Sequence, residues 1–199
     1  MNRKSAPTKP LRLKFHPATA ARWADLEELF GERGACGGCW CMAWRLPRAH
    51  YQAGKGEKNR RALMRLVKPK TAPGILAYAG RKAIGWCAVA PRTDYSFLGR
   101  SRVLKEVDAH PVWSISCLFI LRPYRGRGVS SQLLRAAVRF AAAGGAQRVE
   151  GYPTIPYARN VPAAFLWTGT LSSFLEAGFT EVARRSPSRP IMRAAGLRR

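Results

Sequence analysis

Residues 112–121, VWSISCLFIL, form an unbroken β-branched and aromatic run, and RPYRGRGVSS follows at once. A run apolar on both alternating faces reads as a central strand covered on both sides. Beyond it, Leu133, Leu134, Ala137, Val138 and Ala141 recur at helical spacing, and Gly144 and Gly145 close the helix. Arg125, Gly126, Arg127, Gly128, Val129 and Ser130 thus occupy a turn between a buried strand and a helix start. The first N–H groups of a helix are unpaired and carry partial positive charge. Glycine lets those donors approach a ligand closely, and arginine adds charge at the same point, so this turn suits a diphosphate.

The rest of the chain supplies a mixed set of elements. LRLKF (11–15) alternates as a half-buried strand does, and Trp23, Leu26, Leu29 and Phe30 mark a helix entered near Thr19 and stopped by Gly31. A glycine-rich loop (31–56) with apolar residues inside it precedes a basic helix over 57–68. The stretch GILAYAGRKAIGWCAVAPR then reads as a hairpin turning at GRK. Residues 92–102 carry no assignable pattern. QRVEGYP is a further strand, a proline-bearing connector leads to a short helix over 169–177, and a strand pair closes around SPS. The expectation is an α/β (α+β) chain: a flexible basic tail over 1–10, then a single domain over 11–199.

Charge narrows the partners. The 35 Lys and Arg against 11 Asp and Glu give +24, so the chain favours anions. The basic residues are spread throughout, with no long lysine tract, which fits a solvated surface better than a dedicated nucleic-acid face. No run approaches the ~18 apolar residues of a membrane span, and the N-terminus is not a signal sequence, so a cytoplasmic protein without membrane contact is expected. The 5 cysteines are an odd number in a chain that needs no staple, and are expected to be reduced.

Taken together, the buried strand, the arginine, the spaced glycines, the small Ser130, the amphipathic helix and the later FLEAGF resemble the GNAT acyltransferases. That family's diphosphate motif is Q/R-x-x-G-x-G/A, with Ser130 standing here for the final small residue. Walker A and dinucleotide loops fail on spacing, since no G-x-x-x-x-G-K-S/T occurs and Ser131 stands where the third glycine of G-x-G-x-x-G belongs. The resemblance implies a GNAT fold, with a central, mixed and mostly antiparallel sheet splayed at its middle strands and flanked by helices. It implies acetyl-CoA as co-substrate, backbone contacts to its pantetheine from Leu118 and Ile120, and residues 125–130 around its diphosphate.

It also implies direct attack of a neutral amine on the thioester. Two of the family's usual groups are absent: Ser114 replaces an early carboxylate on the central strand, and Phe174 replaces the tyrosine that protonates the leaving thiolate. Glu150 is the most attractive base and Tyr152 a nearby hydroxyl, although Glu150 serves equally well as a partner for an arginine. His110 is a weaker candidate base. Trp40, Met42 and Trp44 either wall an acceptor pocket or pin their loop to the core. Thr168 either donates to a ligand or caps the following helix.

Cys36, Cys39 and Cys41 offer three thiols, with His50 as a fourth ligand for a metal, but their spacing matches no zinc module. No metal is expected, and thiols lining a pocket fit better. The resulting expectation is an acetyl-CoA-dependent N-acetyltransferase acting on a small-molecule amine, compatible with a homodimer. The alternatives are a protein N-acetyltransferase, or a nucleic-acid or ribosome-associated module with this fold and little turnover.

Overall fold

The computed structural model describes residues 11–67, 72–158 and 161–194. The basic tail 1–10 and the end of the expected helix at Lys68 lie outside the described residues. A seven-stranded sheet runs in the order β1-β2-β3-β4-β5-β7-β6. Its strands are β1 (Leu13–Pro17), β2 (Gly74–Ala79), β3 (Lys82–Pro91), β4 (Trp113–Ile120), β5 (Val149–Gly151), β6 (Phe179–Arg184) and β7 (Pro190–Ala194). All neighbouring strands are antiparallel except β4 and β5, which run parallel.

Among the described residues five α-helices flank the sheet: α1 (Trp23–Phe30), α2 (Arg48–Ala53), α3 (Glu57–Met64), α4 (Val129–Ala143) and α5 (Leu171–Glu176). On one face, Leu133, Leu134 and Ala137 of α4 join Ile75, Val89, Ile115 and Val149 in the main core. On the other, Leu26, Leu29 and Phe30 of α1 meet Leu76, Trp86 and Ala88. The expected hairpin is β2 and β3, turning at Gly80 and Arg81, and the expected central strand is β4, whose inner residues are buried on both faces.

Local boundaries differ where side-chain chemistry intervenes. A 3-10 turn (Ala20–Arg22) precedes α1, and Gly31, at φ 61°, stops it. The glycine-rich loop contains α2, and residues 92–102 hold two 3-10 turns, Arg92–Asp94 and Leu98–Arg100. Helix α5 is capped by Thr170, whose hydroxyl accepts from the Ser173 N–H. Thr168 is therefore not the cap.

The placement of the site follows from how β4 leaves β5. The two strands pair only at Trp113 with Val149, Ser114 with Glu150, and Ile115 with Gly151. The β3–β4 register shifts at the next position, so Ser116 is an extra residue on β4. A bulge bends the strand that carries it, and here it bends β4 where its pairing with β5 ends. Pro153, lacking an N–H, prevents β5 from following. The remaining half of β4, from Cys117 to Ile120, continues without β5 beside it.

Candidate active site

A cavity of about 1080 Å³ opens along that unaccompanied half of β4. One end is the turn into α4. Tyr124, Arg125, Gly126, Gly128, Val129 and Ser130 line it, facing Thr170, Ser172, Ser173 and Glu176 of the α5 region. Gly126 and Gly128 have φ of 70° and 69°, a left-handed conformation that side chains strain. A Cβ at either glycine would meet nothing within 4 Å, so the backbone here is open to the cavity. Gly128 is the residue at which α4 begins, so the partial positive charge of a 15-residue helix falls on this turn.

Arg127 does not line the cavity, and its buried Nε has no hydrogen-bond partner among the described residues. Open glycines at a helix start, with the Arg125 side chain among the lining residues, are the pattern of a site completed by an anion. The residues present therefore fit a diphosphate.

Leu118 and Ile120 line the middle of the cavity. Their backbone groups already have internal partners: the Leu118 N–H donates to the Trp167 carbonyl at 2.7 Å, and the Ile120 carbonyl accepts from Arg125 Nε at 2.8 Å. The Leu121 N–H points the other way, to Ile84 on β3. Segment 163–167 thus lies along β4 where a neighbouring strand would run.

The far end is walled by thiols and rings. Cys36, Cys39, Cys41 and Cys117 line it with Trp44 and Tyr51. The Cys41 and Cys117 sulfurs lie 3.2 Å apart, and the Trp86 indole N–H donates to Cys41 Sγ at 3.0 Å. Hydrogen bonding to Cys41, together with burial, pushes the Cys39 thiol up. Burial and the neighbouring Cys117 do the same for Cys41, so both remain protonated thiols at neutral pH. Among the described residues no group of three or more His, Cys, Asp or Glu is placed to hold a metal ion.

Of the expected acceptor residues only Trp44 reaches this wall. Trp40 stacks on Trp23 at 6.2 Å and tilts against Phe30, and Met42 is buried in the same cluster, so these two pin the loop from beneath. Thr168 is buried, sharing hydrogen bonds with Thr154 and Arg189.

Glu150 and Tyr152 do not line the cavity. Glu150, 1% exposed, is held by Arg193, whose Nη2 donates at 2.6 Å, and Arg193 in turn donates to Asp108 at 2.7 Å. Tyr152 accepts from Arg92 at 2.9 Å and lies 2.8 Å from the Ser114 hydroxyl; burial and then the Glu150 charge push its pKa up. Both expected groups thus sit in an internal polar network. His110 is exposed on Asp108, and Phe174 is fully buried against Gly151.

Tyr51, Cys117 and segment 163–167 had no sequence signal as site residues. Cys117 only joins the cavity because the bulge frees its half of β4.

A family model described as acetyltransferase (GNAT) family matches residues 39–166, more than half of the chain. The chain belongs to that family. GNAT enzymes are acetyltransferases that take their acetyl group from acetyl-CoA. Among curated proteins no sequence matches this acetyltransferase. Its fold is similar to that of a GNAT-family acetyltransferase from Streptococcus agalactiae 2603, at TM-score 0.54 and 12% identity over 92% of this chain and 97% of that one. It is also similar to the PaiA N-acetyltransferase from Thermoplasma acidophilum in complex with coenzyme A. There the TM-score is 0.52 and the identity 14%, over 92% and 99% of the two chains. Among the described residues of this GNAT chain no helix is long and apolar enough to cross a membrane.

Proposed function

We propose that this acetyltransferase moves an acetyl group from acetyl-CoA to the amine of a small molecule. The observation that carries the reading is continuity: one cavity runs from the α4 turn, along the unaccompanied half of β4, to the thiol and aromatic wall. Its diphosphate end is residues 125–130, where backbone donors, the α4 dipole and the Arg125 guanidinium supply positive potential. In the middle, the amide of Leu118 and carbonyl of Ile120 pair with the pantetheine by exchanging their present partners, Trp167 and Arg125. Acetyl-CoA supplies the activated acyl carbon. The chain aligns the amine with it, which removes much of the barrier by positioning alone.

The far end favours a small molecule over a protein amine, because Trp167 packs on Trp44 at 5.2 Å and so brings segment 163–167 against the 35–44 loop there. The five cysteines are free thiols, which supports action in a reducing cytoplasm. Titration calorimetry with coenzyme A, paired with thiol release from acetyl-CoA on offering amines, tests the reading. Binding that Gly128→Val weakens, together with amine-dependent thiol release, is the expected result. Salt-dependent retention on nucleic acid without thiol release would replace it with the binding-module alternative.

A further inference from the structure

The acidic residues of this chain can be accounted for completely. All 11 lie within the described segments, because residues 1–10, 68–71, 159–160 and 195–199 contain no Asp or Glu. Asp25 accepts from the Tyr78 hydroxyl at 2.6 Å. Glu27, Glu57, Asp94, Glu106, Asp108, Glu150 and Glu181 are each in an ion pair with an arginine. Glu28 and Glu32 are exposed on and after α1. Only Glu176 lines the cavity, at the diphosphate end, where its backbone carbonyl accepts from Arg135 of α4 at 2.7 Å.

The acceptor end therefore has no carboxylate. None of His16, His50 and His110 lines it either. Its titratable groups are Cys36, Cys39 and Cys41 from the loop, Tyr51 from α2 and Cys117 from β4, and the raised Cys39, Cys41 and Tyr51 are neutral at physiological pH. Segment 163–167 contributes none. Two cations stand against the lining rings: Arg189 lies 6.0 Å over the Trp44 ring, and the exposed Lys55 lies 5.7 Å over Tyr51.

An ammonium entering such a space loses hydration, finds no counter-charge and meets like charges nearby. Once inside, it finds among the described residues no side chain able to take its proton. A nitrogen that arrives uncharged avoids both costs. Resting on the acetyltransferase reading above, we propose that the acceptor is a weakly basic amine, an aromatic amine or aryl hydrazine carried on an apolar body, and not an aliphatic polyamine. Its lone pair forms the C–N bond while the thioester C–S bond breaks, leaving its electron pair on the coenzyme sulfur. The proton shed by the nitrogen passes to that sulfur, directly or through water, so the step needs no protein base.

The test compares 4-butylaniline, 4-butylbenzylamine and kanamycin as acceptors, following thiol release at about pH 6.5 and about pH 8.5, two units apart across the range in which an enzymic base would titrate. The expected kcat/KM for the aniline exceeds that for the benzylamine by at least about tenfold at the lower pH. It should change less than about twofold between the two, whereas that of the benzylamine rises by about tenfold per unit with its neutral fraction. Kanamycin or the benzylamine reacting faster at the lower pH would overturn the assignment. So would an aniline rate that climbs with pH, or no reaction from any amine while calorimetry records coenzyme binding. Absence of coenzyme binding would instead remove the acetyltransferase site itself. Cys36→Asp places a carboxylate on the exposed edge of this wall, and is expected to raise the benzylamine-to-aniline ratio by about tenfold. An unchanged ratio counts against the proposal.

Discussion

The two halves of β4 belong to one strand and have opposite chemistries. Over Trp113, Ser114 and Ile115 the strand is paired with β5, and the polar groups around it are matched in a closed network: Ser114 with Tyr152, Tyr152 with Arg92, Glu150 with Arg193, and Arg193 with Asp108. From Cys117 to Ile120 no parallel neighbour is present, and the lining is thiol, aliphatic and aromatic. The bulge at Ser116 separates the two. Buried charge thus holds the closed half together, whereas along the open half Arg125 and Glu176 stand at the diphosphate end and the acceptor end is lined by thiols, aliphatic side chains and rings.

The closed half is the place to break the fold. Arg193→Met strands Glu150, 1% exposed, without its partner, and a loss of about 3–5 kcal/mol in a denaturant titration is expected. Adding Glu150→Gln in the same chain should recover most of that loss, since the stranded charge is then gone. A double variant no better than the single would mean the network is not the source. Next in size is Gly151→Ala. Its Cβ would fall 2.0 Å from the fully buried Phe174 ring, at the last paired residue of β5. Overpacking there is expected to lower stability by about 1–3 kcal/mol, read by thermal unfolding.

The open half sharpens the contrast from the other side. Gly128→Val forces a β-branched residue to φ 69° at the edge of the cavity, and is expected to weaken coenzyme A binding by about tenfold in calorimetry while lowering stability by about 1–2 kcal/mol, less than either change in the closed half. The smallest effect concerns Asp108. The Arg193 guanidinium and the His110 N–H hold its carboxyl down at about 2, so its contribution is present above the ordinary carboxylate range and lost as pH falls through about 2. Asp108→Asn should therefore differ from the parent in unfolding between about pH 5 and 7, and the difference should vanish toward pH 2. A difference that grew on acidification would contradict the pairing.

The acceptor loop shows where legibility in the sequence stopped. Three side chains of one loop, Trp40, Met42 and Trp44, are indistinguishable by composition. Trp40 and Trp44 are both 5% exposed, yet only Trp44 faces the cavity. What separates them is backbone geometry: Trp40 and Cys41 adopt φ of 43° and 53°, which rotates alternate side chains toward α1 and toward β4. Non-glycine residues with positive φ carry no composition signal. Thr168 and Thr170 present the same difficulty. Both precede α5, and the hydroxyl that caps it is decided by which one has the extended backbone of an N-cap.

By itself the sequence determined the parts governed by neighbours along the chain: the β2–β3 hairpin, the doubly buried β4, the glycine turn and the amphipathic α4, and with them the family. Periodicity and turn chemistry act over a few residues, so they are written locally. Only the tertiary structure decided which carboxylates are consumed in ion pairs, where β4 and β5 part, and which thiols face the opening. Those outcomes join Glu150 to Arg193, Cys41 to Cys117 and Leu118 to Trp167, residues far apart in sequence whose meeting depends on how the whole sheet bends.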